Sequence, residues 1–348
     1  TSGTTSAEPT LISLTLSDIS RLAYNEELAF AMAELNEDDT ILICAALDKC
    51  FMAGLAYFLG GLKLKARLLR GGTSSATQLW QLLRVADPTA IVGVPSLMEK
   101  IAGYAVENGE NPLKTRVKKL IAIGEPVRDR NLRLSPIAKK LETLWGAEIF
   151  STYASSEMAT TFSECRARKG GHLRPEMIVT EIVDENGDQV RHGTVGEVVA
   201  TPLGVTGMPL IRFKTGDVSY IIDEPCPCGR KTQRLAPIIG RKSQMLKYKG
   251  TTIFPNAILA ALEGKEIFKG GYVEARLDEV GHDRVILYTC LRDNDKSTLD
   301  WVKNELRAKI RVVPEIVIVS KDEVDNKVYQ LDKKRKRITF FDLRCSDK

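Results

Sequence analysis

The run Thr1-Ser2-Gly3-Thr4-Thr5-Ser6-Ala7-Glu8-Pro9-Thr10 gathers groups that hold phosphate. Gly3 frees the backbone to turn its N–H groups toward an anion, and the flanking hydroxyls donate to phosphate oxygens without much bulk. The ligand this predicts is a nucleotide, with ATP first, although a disordered Ser/Thr-rich leader has the same composition. Further along, Cys226-Pro227-Cys228-Gly229 forms a tight CxCG turn, and Cys165 precedes His172 by seven positions in ECRARKGGH. Three thiolates and one imidazole make a recognised tetrahedral zinc set. Glycines beside both halves suit knuckle-like turns, while ordinary buried cysteines with a surface histidine would read the same way. The cysteine total is 7, an odd number that argues against a disulfide framework and for thiols or metal ligands.

The elements that must position these residues come in three textures. From Leu11 to about Glu176, helix-like stretches alternate with short apolar runs at 41–46, 90–94 and 120–123, the pattern of parallel α/β layers. Polar residues follow such runs: Gly124-Glu125-Pro126 after one, and Ser151-Thr152-Tyr153-Ala154-Ser155-Ser156-Glu157 after Ala147-Glu148-Ile149-Phe150. Ligands of open α/β sheets collect beyond the carboxyl ends of strands. From Met177 to Ile222, strand-like pieces punctuated by Asn186-Gly187 and other glycines and prolines predict antiparallel sheet. After Gly240-Arg241-Lys242-Ser243 a short helix, two strands, a helix and another strand predict a small separate α+β domain. The basic run at 333–337 reads as a solvated charge cluster.

With 348 residues, the chain has room for two or three domains of about 100–200 residues each. Hydrophobic residues at 43% and charged residues at 27% fit a globular protein, and no apolar run approaches the ~20 residues that cross a bilayer. A net charge of +5 is too mild to demand nucleic acid and suits polyanionic small molecules. No secretion signal is visible, so we expect a cytoplasmic protein. The start at Thr1, without methionine, leads us to expect a further N-terminal segment.

Taken in order, TSGTT, GEP at 124–126, YASSE at 153–157, TGD at 215–217, GRKSQMLKYKG at 240–250 and a late lysine-rich run resemble the adenylate-forming acyl-CoA synthetase superfamily. CPCGR and ECxxxxxxH are similar to the phenylacetate–CoA ligase family, whose coenzyme-adenylating synthetase relatives share the frame. The resemblance implies an α/β fold. Its large ATP- and acyl-binding domain, residues 1–239, would be multi-layered, β-rich from about 177 and incomplete at its N-terminus; residues 240–348 would form a small mobile α+β lid. It implies a ligase that joins a carboxylic acid, of aryl or aryl-acetate type, to CoA through an acyl-adenylate. Such an enzyme positions its reactants and neutralises developing negative charge. Its partners would be the acid, ATP and CoA, with Mg²⁺, a structural zinc and a homodimeric assembly, and with neither nucleic acid nor membrane.

The same resemblance assigns roles. Ser2, Gly3, Thr4 and Thr5 would wrap the β- and γ-phosphates, with Ser6 where the family has glycine. Glu125, Pro126, Tyr153, Ala154 and Ser155 would flank the adenine, and Glu157 would bind Mg²⁺ as a hard oxygen ligand. Asp217 would accept the ribose hydroxyls, Arg241 would reach ribose or phosphate, and Lys247 matches the lysine of the same motif. Lys334 matches the catalytic lysine, amid Lys333 and Lys336, and Ser243 stands where the family has a hinge aspartate. Cys165, His172, Cys226 and Cys228 would close around structural zinc. Phe51 could pack on an aryl ring or serve as core, and Pro95-Ser96-Leu97 matches a loop beside the substrate. Two alternatives remain at this stage: an adenylyltransferase without a thiol step, and a nucleotide-binding protein that has lost catalysis.

Overall fold

The computed structural model describes residues 11–48, 52–248, 251–278, 282–333 and 338–344. Ser2, Gly3, Thr4, Thr5, Ser6, Phe51, Lys334 and Lys336 lie outside these residues. The chain divides into two compact units, Thr1–Ile238 and Ile239–Lys348, and the architecture is mixed α/β. Among the described residues, no helix is long and apolar enough to cross a membrane.

The first unit opens with helix α1 (Leu16–Met32), then alternates β1 (Thr40–Ile43), α2 (Met52–Lys63), β2 (Arg67–Arg70), α3 (Ala76–Ala86), β3 (Ala90–Gly93), α4 (Pro95–Glu107), β4 (Lys119–Ala122), α5 (Pro136–Trp145) and β5 (Glu148–Ser155). The strands lie parallel in the order β5-β4-β3-β1-β2. β1 and β3 are buried at every position because helices cover both faces of the sheet. Side chains alternate between those faces. Leu42, Ile91, Leu120 and Ile149 join Leu79, Ile101 and Trp145 beneath α3, α4 and α5. Ile41, Ile43, Val92, Ile121 and Phe150 join Phe30 and Tyr57 beneath α1 and α2. Each such side chain contributes about 1.5–3 kcal/mol on burial. Helix starts are marked locally: Thr15 and Asp18 form a capping box on α1, Ser75 and Gln78 form one on α3, and Ser135 caps α5 ahead of Pro136.

β5 has eight residues where its parallel neighbours have four. Residues 148–151 pair with β4, while Thr152–Ser155 pair antiparallel with β6 (Thr160–Ser163). The sequence pattern predicts a loop over Ser151–Glu157; the structure instead extends the strand and folds it back as a hairpin. No glycine or Asn-Gly pair announces that turn, and Ala159 supplies the left-handed residue with φ +44°. The sheet continues through β7 (Gly171–His172), β12 (Arg234–Leu235) and β11 (Ile221–Ile222). A separate antiparallel sheet contains β8 (Ile178–Val183), β9 (Gly196–Pro202) and β10 (Phe213–Ser219), in the region predicted to be β-rich.

The second unit begins with β13 (Gly240–Arg241) and the hairpin of β14 (Leu246–Tyr248) and β15 (Thr251–Ile253). It continues with α6 (Pro255–Leu262), β16 (Phe268–Leu277), β17 (Asp283–Leu291), α7 (Lys296–Ile310), β18 (Glu315–Ile318), α8 (Lys321–Lys333) and β19 (Phe340–Asp342). The main sheet order is β18-β17-β16-β19. Its apolar core joins Ile258, Leu262, Val273, Leu287, Val302 and Leu306. The Arg344 guanidinium forks onto the Asp342 carboxylate, reaches Asp283, and donates to the carbonyls of Ser243 and Met245 at 3.2 and 3.3 Å. One side chain thus ties the chain's late strand to the segment following β13.

Glu164 and Glu26 are among the buried carboxylates of the first unit. Glu164 receives Arg128 through Nε at 2.5 Å and Nη2 at 3.0 Å, and also the amide of Ser151 at 2.9 Å; the side chains are 5% and 1% exposed for Arg128 and Glu164. Burial pushes Glu26 up to about 7, against the opposing pull of the Thr161 hydroxyl, Arg174 and Asn25. Arg128→Met strands the Glu164 charge and should cost about 3–5 kcal/mol, read as a lower urea midpoint. Because Glu26 titrates above its ordinary range, its contribution to stability is full at acid pH and is lost as pH rises through about 7. The melting temperature should therefore carry a fall between the unfolded value of 4.5 and the folded value of about 7 that Glu26→Gln lacks.

Candidate functional site

At the carboxyl edge of the parallel strands the chain leaves β4 through Gly124, whose φ of +72° makes the turn, and presents Glu125 and Pro126. The Glu125 carboxylate accepts the amide of Ser96 at 3.0 Å and its hydroxyl at 2.8 Å. α4 has no cap from its own Val94, so Glu125 supplies the anion that its first turn requires. GEP and Pro95-Ser96-Leu97, separate motifs in the sequence, are thereby one structural feature.

Tyr153 and Asp217 also meet. The Tyr153 hydroxyl donates to Asp217 Oδ2 at 2.8 Å, and its ring stacks on Phe162 at 5.9 Å between centroids. Asp217 is buried in β10 beside Thr215, whose hydroxyl accepts the Asp217 amide at 3.1 Å. Next along β5, Ala154 is exposed, and the Ser155 hydroxyl accepts the Met158 amide at 3.2 Å, closing the turn that carries half-buried Glu157. An aromatic face, a carboxylate that can take two hydrogen bonds and a hard oxygen ligand are chemistry suited to a nucleoside and a divalent cation. Arg241 lies in β13 and Lys247 in β14 of the second unit.

Cys165, His172, Cys226 and Cys228 come together with their ligand atoms all within 4.8 Å of one another. Cys165 and Cys226 sulfurs are 3.6 Å apart, and Cys228 Sγ lies 3.5 Å from His172 Nε2. A tetrahedral zinc with bonds of about 2.3 Å to sulfur and about 2.0–2.1 Å to nitrogen requires edges of about 3.8 and 3.5 Å. The donor set fits that ion in both type and spacing. Gly229, at φ +87°, turns the chain so that its amide reaches the Cys226 carbonyl at 3.0 Å. His172 Nδ1 lies 2.8 Å from the Thr232 hydroxyl, which orients the ring and leaves Nε2 toward the cysteines. Burial, with Arg230 and Arg234 adding to it, holds His172 down to about 4, so the ring is neutral as a ligand must be. Burial pushes the Cys165 thiol up to about 12; at Cys228 burial acts in the same direction but is outweighed by hydrogen bonds from Arg230 and the neighbouring cysteines, which bring it to about 7.

A buried polar cluster escaped the sequence reading: Arg21, Asn25 and Glu26 of α1 with Thr161 of β6 and Arg174. Within α1 these residues have the spacing of an ordinary solvated face, and only the location of their partners shows otherwise.

A family model described as AMP-binding enzyme matches residues 1–207. The phenylacetate-coenzyme A ligase of Thermus thermophilus is 28% identical over 272 residues, covering 75% of this chain and 58% of that protein. The chain thus spans a little under three fifths of the length of the phenylacetate-coenzyme A ligases it matches. Among solved structures, a 2-hydroxyisobutyryl-CoA ligase in the postadenylation state, in complex with R3-HIB-AMP, gives a TM-score of 0.82 at 21% identity, covering 97% of this chain and 72% of that one. The same ligase with 2-HIB-AMP and CoA in the thioesterification state gives 0.65 at 22% identity, covering 98% and 72%. These likenesses show a shared fold. By its matched residues the chain belongs to the AMP-binding enzymes, and its sequence is similar to phenylacetate-coenzyme A ligases.

Proposed function

We propose that the protein is an AMP-forming carboxylic acid–CoA ligase of aryl or aryl-acetate type. The observation that carries this reading is the Tyr153–Asp217 hydrogen bond, which joins two motifs far apart in sequence at the end of β5. Adenine lies against Tyr153, Ala154 and Ser155, with Glu125 and Pro126 beside them, and the ribose hydroxyls donate to Asp217. Ser2, Gly3, Thr4 and Thr5 surround the β- and γ-phosphates. Glu157 would hold Mg²⁺, which when bound would supply positive charge against the phosphates.

In the first step a carboxylate oxygen of the acid attacks the α-phosphorus, and the bond to the bridging oxygen breaks. Pyrophosphate departs with its electron pair, leaving an acyl-adenylate. Lys334 contacts the carboxylate and α-phosphate, while Arg241 and Lys247 add fixed positive charge toward ribose and phosphate. In the second step the CoA sulfur, having lost its proton to solvent, attacks the acyl carbon and AMP leaves. Residues 1–239 hold ATP and acid, and residues 240–348 act as the mobile lid. The curated and solved relatives, ligases of phenylacetate and of 2-hydroxyisobutyrate, support the reaction class.

Zinc at Cys165, His172, Cys226 and Cys228 has a structural role in this reading. Four protein ligands leave no open position for water, so the ion would cross-link and not act as a Lewis acid.

Pyrophosphate release from ATP and Mg²⁺, measured across aryl, aliphatic and amino acids with and without CoA, tests the function. We expect release that depends on aryl or aryl-acetate acids, with a CoA thioester as product; release without thioester would remove CoA as acceptor. Asp217→Asn should raise the KM for ATP by about 10- to 100-fold, the worth of weakened hydrogen bonds to a charged group. The purified wild-type protein should contain one zinc per chain. Cys228→Ser should lower zinc content and melting temperature together, whereas full stability without metal would remove the site.

A further inference from the structure

We propose that the buried polar face of α1 positions the β5–β6 hairpin for the nucleotide, with Asn25 and Glu26 acting through Thr161. The role in nucleotide binding rests on the function proposed above; the clamp itself is a matter of geometry. Helices pack on sheets through apolar stripes, yet α1 buries Asp18, Asn25 and Glu26 alongside Leu22, Ala29, Phe30 and Met32. The Asp18 carboxylate accepts the amides of Thr206 and Gly207, each at 2.8 Å. One turn on, Arg21 donates to the carbonyls of Ala159, Met177 and Leu203 and to the Thr160 hydroxyl at 2.9 Å. Ala159 is the left-handed residue that ends the turn bearing Glu157. A further turn on, Asn25 Oδ1 accepts the Thr161 amide at 3.3 Å, and Asn25 Nδ2 donates to Glu26 Oε1 at 2.8 Å. The same Glu26 oxygen accepts the Thr161 hydroxyl. From another segment, Arg174 Nε donates to the Thr161 carbonyl at 3.3 Å.

The reason lies in the sheet. β7 pairs with β6 only through Ser163 and His172. In a strand the backbone groups two residues apart face the same edge, so the amide and carbonyl of Thr161 point to where β7 would continue and does not. Thr161 is 3% exposed, and an unmade hydrogen bond there would be costly. Asn25 and Arg174 take the place of the absent strand. Across the hairpin Thr161 pairs with Ala154, so fixing its three polar groups fixes Tyr153, Ala154 and Ser155. Buried ionisable groups such as Glu26 and Arg174 are seldom the best route to stability, since apolar replacements often match them. What they add is a single register for the hairpin.

Amide hydrogen exchange in the wild-type protein tests the clamp directly. Thr161 should exchange at least about 100-fold more slowly than an unstructured amide; exchange at the unstructured rate would overturn the clamp. Calorimetric titration with AMP-PNP, run without the acid so that its α–β linkage stays intact, tests its consequence. Thr161→Val should raise the Kd of AMP-PNP about 5- to 10-fold, with kcat at saturating ATP and the KM of the acid changed less than about twofold, and Thr161→Ser should restore the affinity. An unchanged Kd, or parallel loss of Kd and kcat that serine does not rescue, would overturn the positioning role. Absence of AMP-PNP binding by the wild-type protein would overturn the nucleotide reading and the positioning role with it, leaving the exchange result as the measure of the clamp.

Discussion

The carboxylate of Glu164 sits where β5 changes partners. Ser151 is the last residue of β5 to pair with β4, and its amide goes to Glu164 while its carbonyl accepts the Glu164 amide at 3.0 Å. Arg128, just past β4, holds the same carboxylate, and the Gly170 amide reaches it at 3.3 Å. One charged group therefore joins the parallel sheet, the returning strand and the loop leading to β7. Beyond this point β5 runs past the ends of its shorter neighbours, and Tyr153, Ala154 and Ser155 stand at the edge where α/β sheets bind ligands. The candidate nucleotide site is a consequence of that extension.

The distribution of polarity follows the same division of labour. α3 and α5 bury leucines and tryptophans, Leu79, Trp80, Leu83, Leu141 and Trp145, and need no polar partner to find their place. Apolar packing is non-directional, so it fixes a layer better than it fixes the phase of a hairpin. Around β6 the protein uses directional groups instead. Glu164 with Arg128 lies at one end, and Glu26 with Asn25 and Arg174 lies in the middle. Both sets are deeply buried; Glu164 is bound through both oxygens, whereas Glu26 Oε2 finds no hydrogen-bond partner among the described residues, in keeping with the upward push of burial on that carboxyl.

Much of the fold was legible because its cause is local. β1, β3 and β4 are apolar at nearly every position since helices cover both faces, and Ser135-Pro136 announces α5 by its cap. That Cys165, His172, Cys226 and Cys228 come together was legible because thiolates and imidazole beside glycine have few other uses in such turns. The hairpin was not, since Thr160-Thr161-Phe162-Ser163 follows a turn without glycine and reads as part of a hydroxyl-rich loop. Asn25 and Glu26 look like any solvated pair on a helix, and nothing local says that a strand edge awaits them. Glu125 was found as a motif residue but not as the cap of α4, because its partner Ser96 lies 29 positions earlier. α8 was missed for a related reason. Its sequence is rich in lysine and aspartate, and the two valines that seat it, Val324 and Val328, are a weak periodic signal.

The cysteine–histidine cluster bears on the same hairpin from its far side. β7, β11 and β12 are each two residues long, too short to hold a sheet edge by pairing alone. Cys165 and Cys226 are 61 positions apart, and confining a flexible loop of that length costs about 4 kcal/mol of chain entropy. A four-ligand ion would meet that cost with bonds much stronger than the two-residue ladders can make. Its position also matters, because Met32 at the end of α1 packs with Cys165 and Cys226, and Arg174 lies 3.5 Å from the Met32 sulfur while holding Thr161. The segment from Glu164 to Arg174 is thus held at both ends and along its length, by Arg128, by the knuckle and by α1. An element with so little ladder of its own keeps its register only if its side chains are anchored this often, and the anchors all converge on the strand paired with Tyr153–Ser155.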